Sequence, residues 1–121
     1  MAKKEISDSE LLANVLVAGL QEKKGDNILV MDMRELPSSF TEFMVLCSAG
    51  NYRQMEALLD SAEEFARNQL SEKPYFREGM GQESEWVLLD YVSVVLHVFK
   101  EDKRDFYALE DLWGDAKIKK F

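Results

Sequence analysis

Apolar residues in this chain recur with two different periods. Leu11, Leu12, Val15, Leu16 and Leu20 return every three or four positions, the repeat of one helix face. Ser7 followed by Glu10 has capping-box spacing, and Lys23-Lys24-Gly25 places basic residues and a glycine where such a helix would end. The pattern predicts a helix over Asp8–Glu22. A second helical stripe, Tyr52, Met55, Leu58, Leu59, Ala62, Phe65, Ala66 and Leu70, predicts a helix from about Asn51 to Leu70. Its opposite side carries Arg53, Glu56, Asp60, Glu63, Glu64 and Arg67, so the stripe reads as core packing beneath a solvated face.

Elsewhere the apolar residues run almost without a break. Asn27–Asp32 (NILVMD), Thr41–Ser48 (TEFMVLCS), Trp86–Tyr91 (WVLLDY) and Val94–Phe99 (VVLHVF) are rich in β-branched and aromatic side chains. Such runs predict strands that present apolar groups on both faces of a sheet. Trp86–Tyr91 and Val94–Phe99 are close enough to form an antiparallel hairpin. Pro37 makes Arg34–Ser39 a loop, and Pro74–Arg77 suits a short edge strand. Gly79–Glu85 is a glycine-containing loop. Asp102 can cap a last helix through about Trp113, with Phe106, Leu109, Leu112 and Trp113 on one side and Gly114 beyond it. Residues 1–7 and 117–121 read as flexible ends, the latter short and basic.

The resulting order, α-β-β-α-β-β-β-α, predicts a single α/β domain over residues 1–121. Its architecture is one mixed sheet of about five strands flanked by helices. Three helices do not easily cover both faces of strands that are apolar on both sides. Some apolar sheet surface is therefore expected to stay open, as a protein-binding face would.

Composition narrows the function. A chain of 121 residues can bury a core without disulfides or metal. Its apolar runs are far shorter than the roughly 20 residues that span a bilayer. The start, MAKKEISDSE, has no apolar stretch after its lysines, so no secretory signal is expected there. A single cysteine, Cys47, suits a reducing cytoplasm. The net charge of −8 opposes broad binding to nucleic-acid phosphates and favours a basic protein partner.

Candidate chemistry is sparse. One histidine and one cysteine give no paired metal ligands, so neither a metal nor a cofactor is expected. Gly79-Met80-Gly81 lacks the further glycine, the lysine and the helix signal of a phosphate-cradling loop. Cys47 and His97 are the sole candidates for a nucleophile and its base, yet both lie inside apolar strand runs. There a thiol is usually inert, and a hydrogen-bonded structural histidine is the better reading. Asp32 and Asp90 stand at strand ends, but neither has a second acid two residues on, and a lone strand-end aspartate more often caps a turn.

WVLLDYVSVVLHVF followed by RDFYALEDLW resembles the Iojap, or ribosomal silencing factor (RsfS), family. The matching positions are Trp86, Asp90, Tyr91, His97, Val98, Phe99, Arg104, Tyr107, Leu109, Glu110, Leu112 and Trp113. Asn27–Asp32, Thr41–Ser48, Gly50, Arg53-Gln54 and Glu78-Gly79 follow the family pattern in order, so the resemblance spans roughly residues 8–116. It implies a nucleotidyltransferase-like fold without that superfamily's chemistry, because the helix start here is Gly50-Asn51 and the strand acid pair is missing. It implies binding to the large ribosomal subunit through its fourteenth ribosomal protein, which would block joining to the small subunit and repress translation when nutrients run short. A part in large-subunit biogenesis is implied as well.

For such a function Trp86 and Tyr91 are the expected anchors, since aromatic side chains dominate interface hot spots. Asp90 would meet a cation of the basic partner, Met80 would pack at the rim, and Ser93 is a further candidate contact. Trp86 and Tyr91, five positions apart, fall on opposite faces of a regular strand. The family usually has Gly-Asp after its Asp-Tyr, where this chain has Val92-Ser93. Valine resists positive φ, so a longer or differently typed turn is expected. Two other readings follow from the same residues. One is a residual nucleotidyltransferase or hydrolase using Asp32 or Asp90; the other is a homodimer that uses the open sheet surface for itself.

Overall fold

The computed structural model describes residues 6–37, 39–79, 84–104 and 115–121. Its elements are α1 (Asp8–Glu22), β1 (Asp26–Asp32), β2 (Phe43–Ala49), α2 (Tyr52–Leu70), β3 (Phe76–Glu78), β4 (Trp86–Asp90), β5 (Val94–Lys100) and β6 (Lys117–Lys120). They form one α/β domain around a mixed sheet of order β3-β4-β5-β2-β1-β6. Only β2 and β5, side by side at the centre, run parallel; the other pairs are antiparallel.

Helices α1 and α2 start where their caps place them. Ser7 Oγ accepts the Glu10 amide at 3.2 Å, and Asn51 Oδ1 accepts the Gln54 amide at 2.9 Å. Both helices pack on the same face of the sheet. There Leu12, Leu16, Leu20, Leu58, Leu59 and Ala62 meet Val30, Val45, Cys47, Leu89, Leu96 and Val98 in one cluster. The helices cross closely at Gly19, where an added Cβ would lie 2.7 Å from Ala62 Cα, and Ser61 Oγ donates to the Gly19 carbonyl at 2.7 Å.

The opposite face carries a second cluster, Leu29, Met31, Met33, Met44, Leu46 and Phe99, with Leu36, Trp86 and Ala116 against it. Every residue of β2 is buried, and β5 is buried up to Lys100. The unbroken apolar runs are thus strands with a core on each side, as their lack of alternation requires.

The sheet has six strands where about five are expected. The additional one is β6, formed by Lys117-Ile118-Lys119-Lys120 in the stretch that the sequence pattern assigns to a flexible end. It pairs with β1, Ile118 opposite Met31 and Lys120 opposite Leu29, and all four of its residues are exposed. Charged residues on an edge strand suppress pairing with other chains, so they do not advertise a strand in the sequence. Most of the helix expected over Asp102–Trp113 lies outside the described residues, as does Met80.

Candidate functional site: the open edge of the second sheet face

Exposure alternates along β4. Val87 and Leu89, which face the helices, are wholly buried, whereas Trp86, Leu88 and Asp90, on the other face, keep part of their surface in solvent. On the edge strand, Phe76 lies opposite Asp90 and Glu78 opposite Leu88, so both point to this same side. Phe76 is 58% exposed. The result is an apolar strip of Trp86, Leu88 and Phe76 with the carboxylates of Asp90 and Glu78 beside it. This is the incompletely covered sheet surface that the sequence pattern anticipates.

Trp86 is fixed within the strip. Its ring stacks on Phe99 with centroids 5.1 Å apart and planes inclined by 24°, and its indole N–H donates to His97 Nδ1 at 3.0 Å. His97 is 4% exposed, and its Nε2 is buried without a hydrogen-bond partner among the described residues. Burial pushes the imidazole down from its ordinary pKa to about 4, so the ring is neutral at physiological pH. With Nδ1 accepting from Trp86, the ring proton sits on Nε2. His97 is therefore a hydrogen-bonded histidine whose partner the sequence did not name.

The start of the strand is also held through its backbone. Gly79 has φ +84°, and a Cβ there would come within 2.3 Å of the Trp86 carbonyl oxygen, so the chain before β4 passes too close for any side chain.

Tyr91 turns the other way. It is 4% exposed and belongs to the cluster under the helices, with its hydroxyl buried and unpartnered among the described residues. Burial, with Glu63 and Glu72 nearby, raises the phenol pKa. The expectation of Tyr91 as a surface anchor is thereby corrected: strand parity sends Trp86 and Tyr91 to opposite faces, and α2 covers the second of them.

The connection after Tyr91 is not longer but is differently typed, the second of the two alternatives expected. It keeps two residues, with the Tyr91 amide donating to the Val94 carbonyl and the Ser93 amide to the Tyr91 carbonyl, each at 2.9 Å. Val92 sits at φ 71°, in the position that a two-residue hairpin normally gives to glycine. The hydrogen bond across it makes a γ-turn of the rare, positive-φ hand. Asp90 Oδ1 accepts the Val92 amide at 2.7 Å and secures this conformation. Ser93 is partly exposed, and its carbonyl accepts from the amides of Glu42 and Phe43, tying the turn to β2.

The residues considered for catalysis do not converge. Cys47 faces the helices, opposite Val98, while His97 points to the other side of the sheet. Burial raises the Cys47 thiol to about 12, which leaves it protonated and inert. Asp32, opposite Phe43, faces the helix side and is clamped by Arg34, whose Nε and Nη2 donate at 3.0 and 2.8 Å. That hydrogen bonding lowers the Asp32 pKa. Asp90 lies on the opposite face, three strands away, or about 14 Å at ordinary strand spacing. The described residues contain no group of three or more His, Cys, Asp or Glu placed to hold a metal ion. No helix among them is long and apolar enough to cross a membrane.

Arg104 is a further residue whose place the sequence did not disclose. It is 7% exposed, donates to Ser48 Oγ at 2.9 Å and also to the Asn27 carbonyl, and so joins the chain after β5 to β1 and β2.

Comparison with known proteins agrees with this architecture. The crystal structure of a Chromobacterium violaceum protein superposes with a TM-score of 0.79 at 29% identity, over 89% of this chain and 88% of that one. A Bacillus halodurans structure gives 0.71 at 29% identity, over 85% and 93%. Among curated proteins, Ribosomal silencing factor RsfS of Halalkalibacterium halodurans is 34% identical over 111 residues, 92% of each chain. The Bacillus subtilis protein of the same name is 32% identical over 108 residues, 88% of each. Chloroplastic Protein Iojap of Zea mays is 31% identical over 111 residues, 90% of this chain and 47% of that protein. The family model described as "Ribosomal silencing factor during starvation" matches residues 6–120, and the chain belongs to that family.

Proposed function

We propose that this protein is a non-enzymatic silencing factor that binds the large ribosomal subunit through its fourteenth ribosomal protein. Bound there, it keeps the small subunit from joining and represses translation under nutrient limitation. A part in large-subunit biogenesis belongs to the same reading. The docking surface is the open edge of the second sheet face, with Trp86 as anchor, Leu88 and Phe76 as apolar surround, and Asp90 and Ser93 towards the turn. Met80 belongs to the proposal through the sequence resemblance.

The observation that carries this reading is the alternation along β4 in a member of the silencing-factor family. A strand whose helix side is sealed leaves a tryptophan, a leucine and an aspartate partly open beside an exposed phenylalanine. Aromatic anchors in an apolar patch with charges at its rim are the usual composition of a protein interface. A net charge of −8 suits a basic ribosomal protein and speeds the encounter.

Sedimentation with separated ribosomal subunits tests it. The protein is expected to travel with large subunits and to reduce the joined-ribosome peak when small subunits are added. Trp86→Ala should weaken the association by about 2 kcal/mol or more. Unchanged co-sedimentation of a folded Trp86→Ala variant would remove Trp86 from the interface. Absence of wild-type protein from the large-subunit fraction would end the proposal.

A further inference from the structure

A buried histidine is a poor choice for filling a sheet core. One nitrogen of His97 is taken by the Trp86 indole at 3.0 Å; the other is buried with no partner among the described residues. An unpaired polar atom in an apolar setting lowers stability, and a phenylalanine or leucine of similar bulk would avoid that loss. Packing alone therefore does not account for an imidazole between Leu88 and Phe99 on this face. What the imidazole provides, and an apolar side chain cannot, is an acceptor for one particular indole.

That acceptor belongs to a set of three neighbouring rings. Trp86, His97 and Phe99 form a compact set, with centroids 5.5 Å apart for Trp86–His97, 5.1 Å for Trp86–Phe99 and 6.2 Å for His97–Phe99. The His97 and Phe99 rings are nearly parallel, inclined by 13°. Phe99 supplies a surface for the indole but allows it to slide or turn. The directed N–H···N bond selects one orientation, because a hydrogen bond weakens steeply as it departs from linearity.

We infer that His97 is a positioning residue of the docking face: its Nδ1 holds the Trp86 indole in the single orientation that meets the partner. The inference rests on the docking reading given above. A side chain already held in its bound orientation loses less freedom on association, which is the physical meaning of preorganisation. His97 itself lies beneath the surface, so its contribution passes through Trp86 and not through contact with the ribosome.

The test compares three variants of the full chain. His97→Phe and His97→Leu keep apolar bulk and remove the acceptor; His97→Asn keeps an acceptor at the position of Nδ1. Each is measured for thermal stability, for affinity to large subunits, and for exchange protection of the Trp86 indole proton by NMR. The chain has two tryptophans, so the Trp86 signal is assigned by its loss in Trp86→Phe. The expected result is that His97→Phe or His97→Leu binds about tenfold more weakly, with faster indole exchange and no loss of melting temperature. His97→Asn should stay within about threefold of the wild type.

A merely structural histidine predicts a different set, in which binding changes only as stability does. The inference is overturned if either apolar variant binds like the wild type, or if its indole proton stays as protected as before. It is also overturned if His97→Asn binds as weakly as the apolar variants. Failure of the docking reading is distinguishable, because then the wild-type protein does not bind large subunits at all.

Discussion

Asp90 Oδ1 accepts the Val92 amide at 2.7 Å, and in doing so supports a valine at φ 71°. A β-branched residue in that region is strained, by roughly 1–3 kcal/mol. Nothing in the core requires the side chain, since Val92 is 58% exposed. Val92→Gly should therefore raise stability by about 1 kcal/mol, the relief of strain being partly offset by the greater freedom of glycine in the unfolded chain. Urea unfolding of the two proteins at neutral pH measures this. A destabilised Val92→Gly would mean that the turn is not strained.

Tyr91→Phe tests the opposite face. The hydroxyl is buried and unpartnered among the described residues, so its removal should leave stability unchanged or raise it by up to about 1 kcal/mol. Affinity for large subunits should not change, because the ring lies under the helices. A marked loss of ribosome binding in a stable Tyr91→Phe protein would restore Tyr91 as a contact.

Gly79→Ala should act on Trp86 from a distance. The added methyl would stand 2.3 Å from the Trp86 carbonyl oxygen, at a φ of +84° that alanine avoids. The β3–β4 hairpin must open or shift to accept it, at a cost of about 2 kcal/mol or more. Hydrogen exchange should then quicken in β3 and β4 while α1 and the centre of the sheet keep their protection. Uniform quickening would point to general destabilisation and not to a local clash.

Much of this architecture was legible in the sequence because local and global signals agree. Ser7 and Asn51 cap the helices that the apolar stripes predict, and the runs at β2 and β5 are unbroken because both their faces are buried. Parity along β4 already separated Trp86 from Tyr91. The sequence could not say which of them α2 would cover, since that depends on which face of the sheet the helices pack against. β6 escaped because an edge strand of lysines carries no apolar signal. The Trp86–His97 bond escaped because its partners lie eleven residues apart and meet only through the hairpin register. The two-residue turn persists despite Val92 because that register on either side, together with Asp90, outweighs the preference of one valine.

The last prediction concerns acid. His97 is neutral in the folded protein down to a pKa of about 4, against an ordinary value of 6.5. Above pH 6.5 neither the folded nor the unfolded chain carries a proton there, and stability is at its full level. Between pH 6.5 and about 4 the unfolded chain takes up a proton that the folded chain refuses, so stability falls with pH. The total loss is about 3 kcal/mol, after which the term levels off. Asp32, whose pKa is lowered by Arg34, acts in the same direction but below its ordinary value of 3.8, so the two windows are separate. Chemical denaturation at intervals from pH 7 to 4 should show the decline in the wild type and a much flatter profile in His97→Phe. An equally steep profile in that variant would assign the decline to other groups.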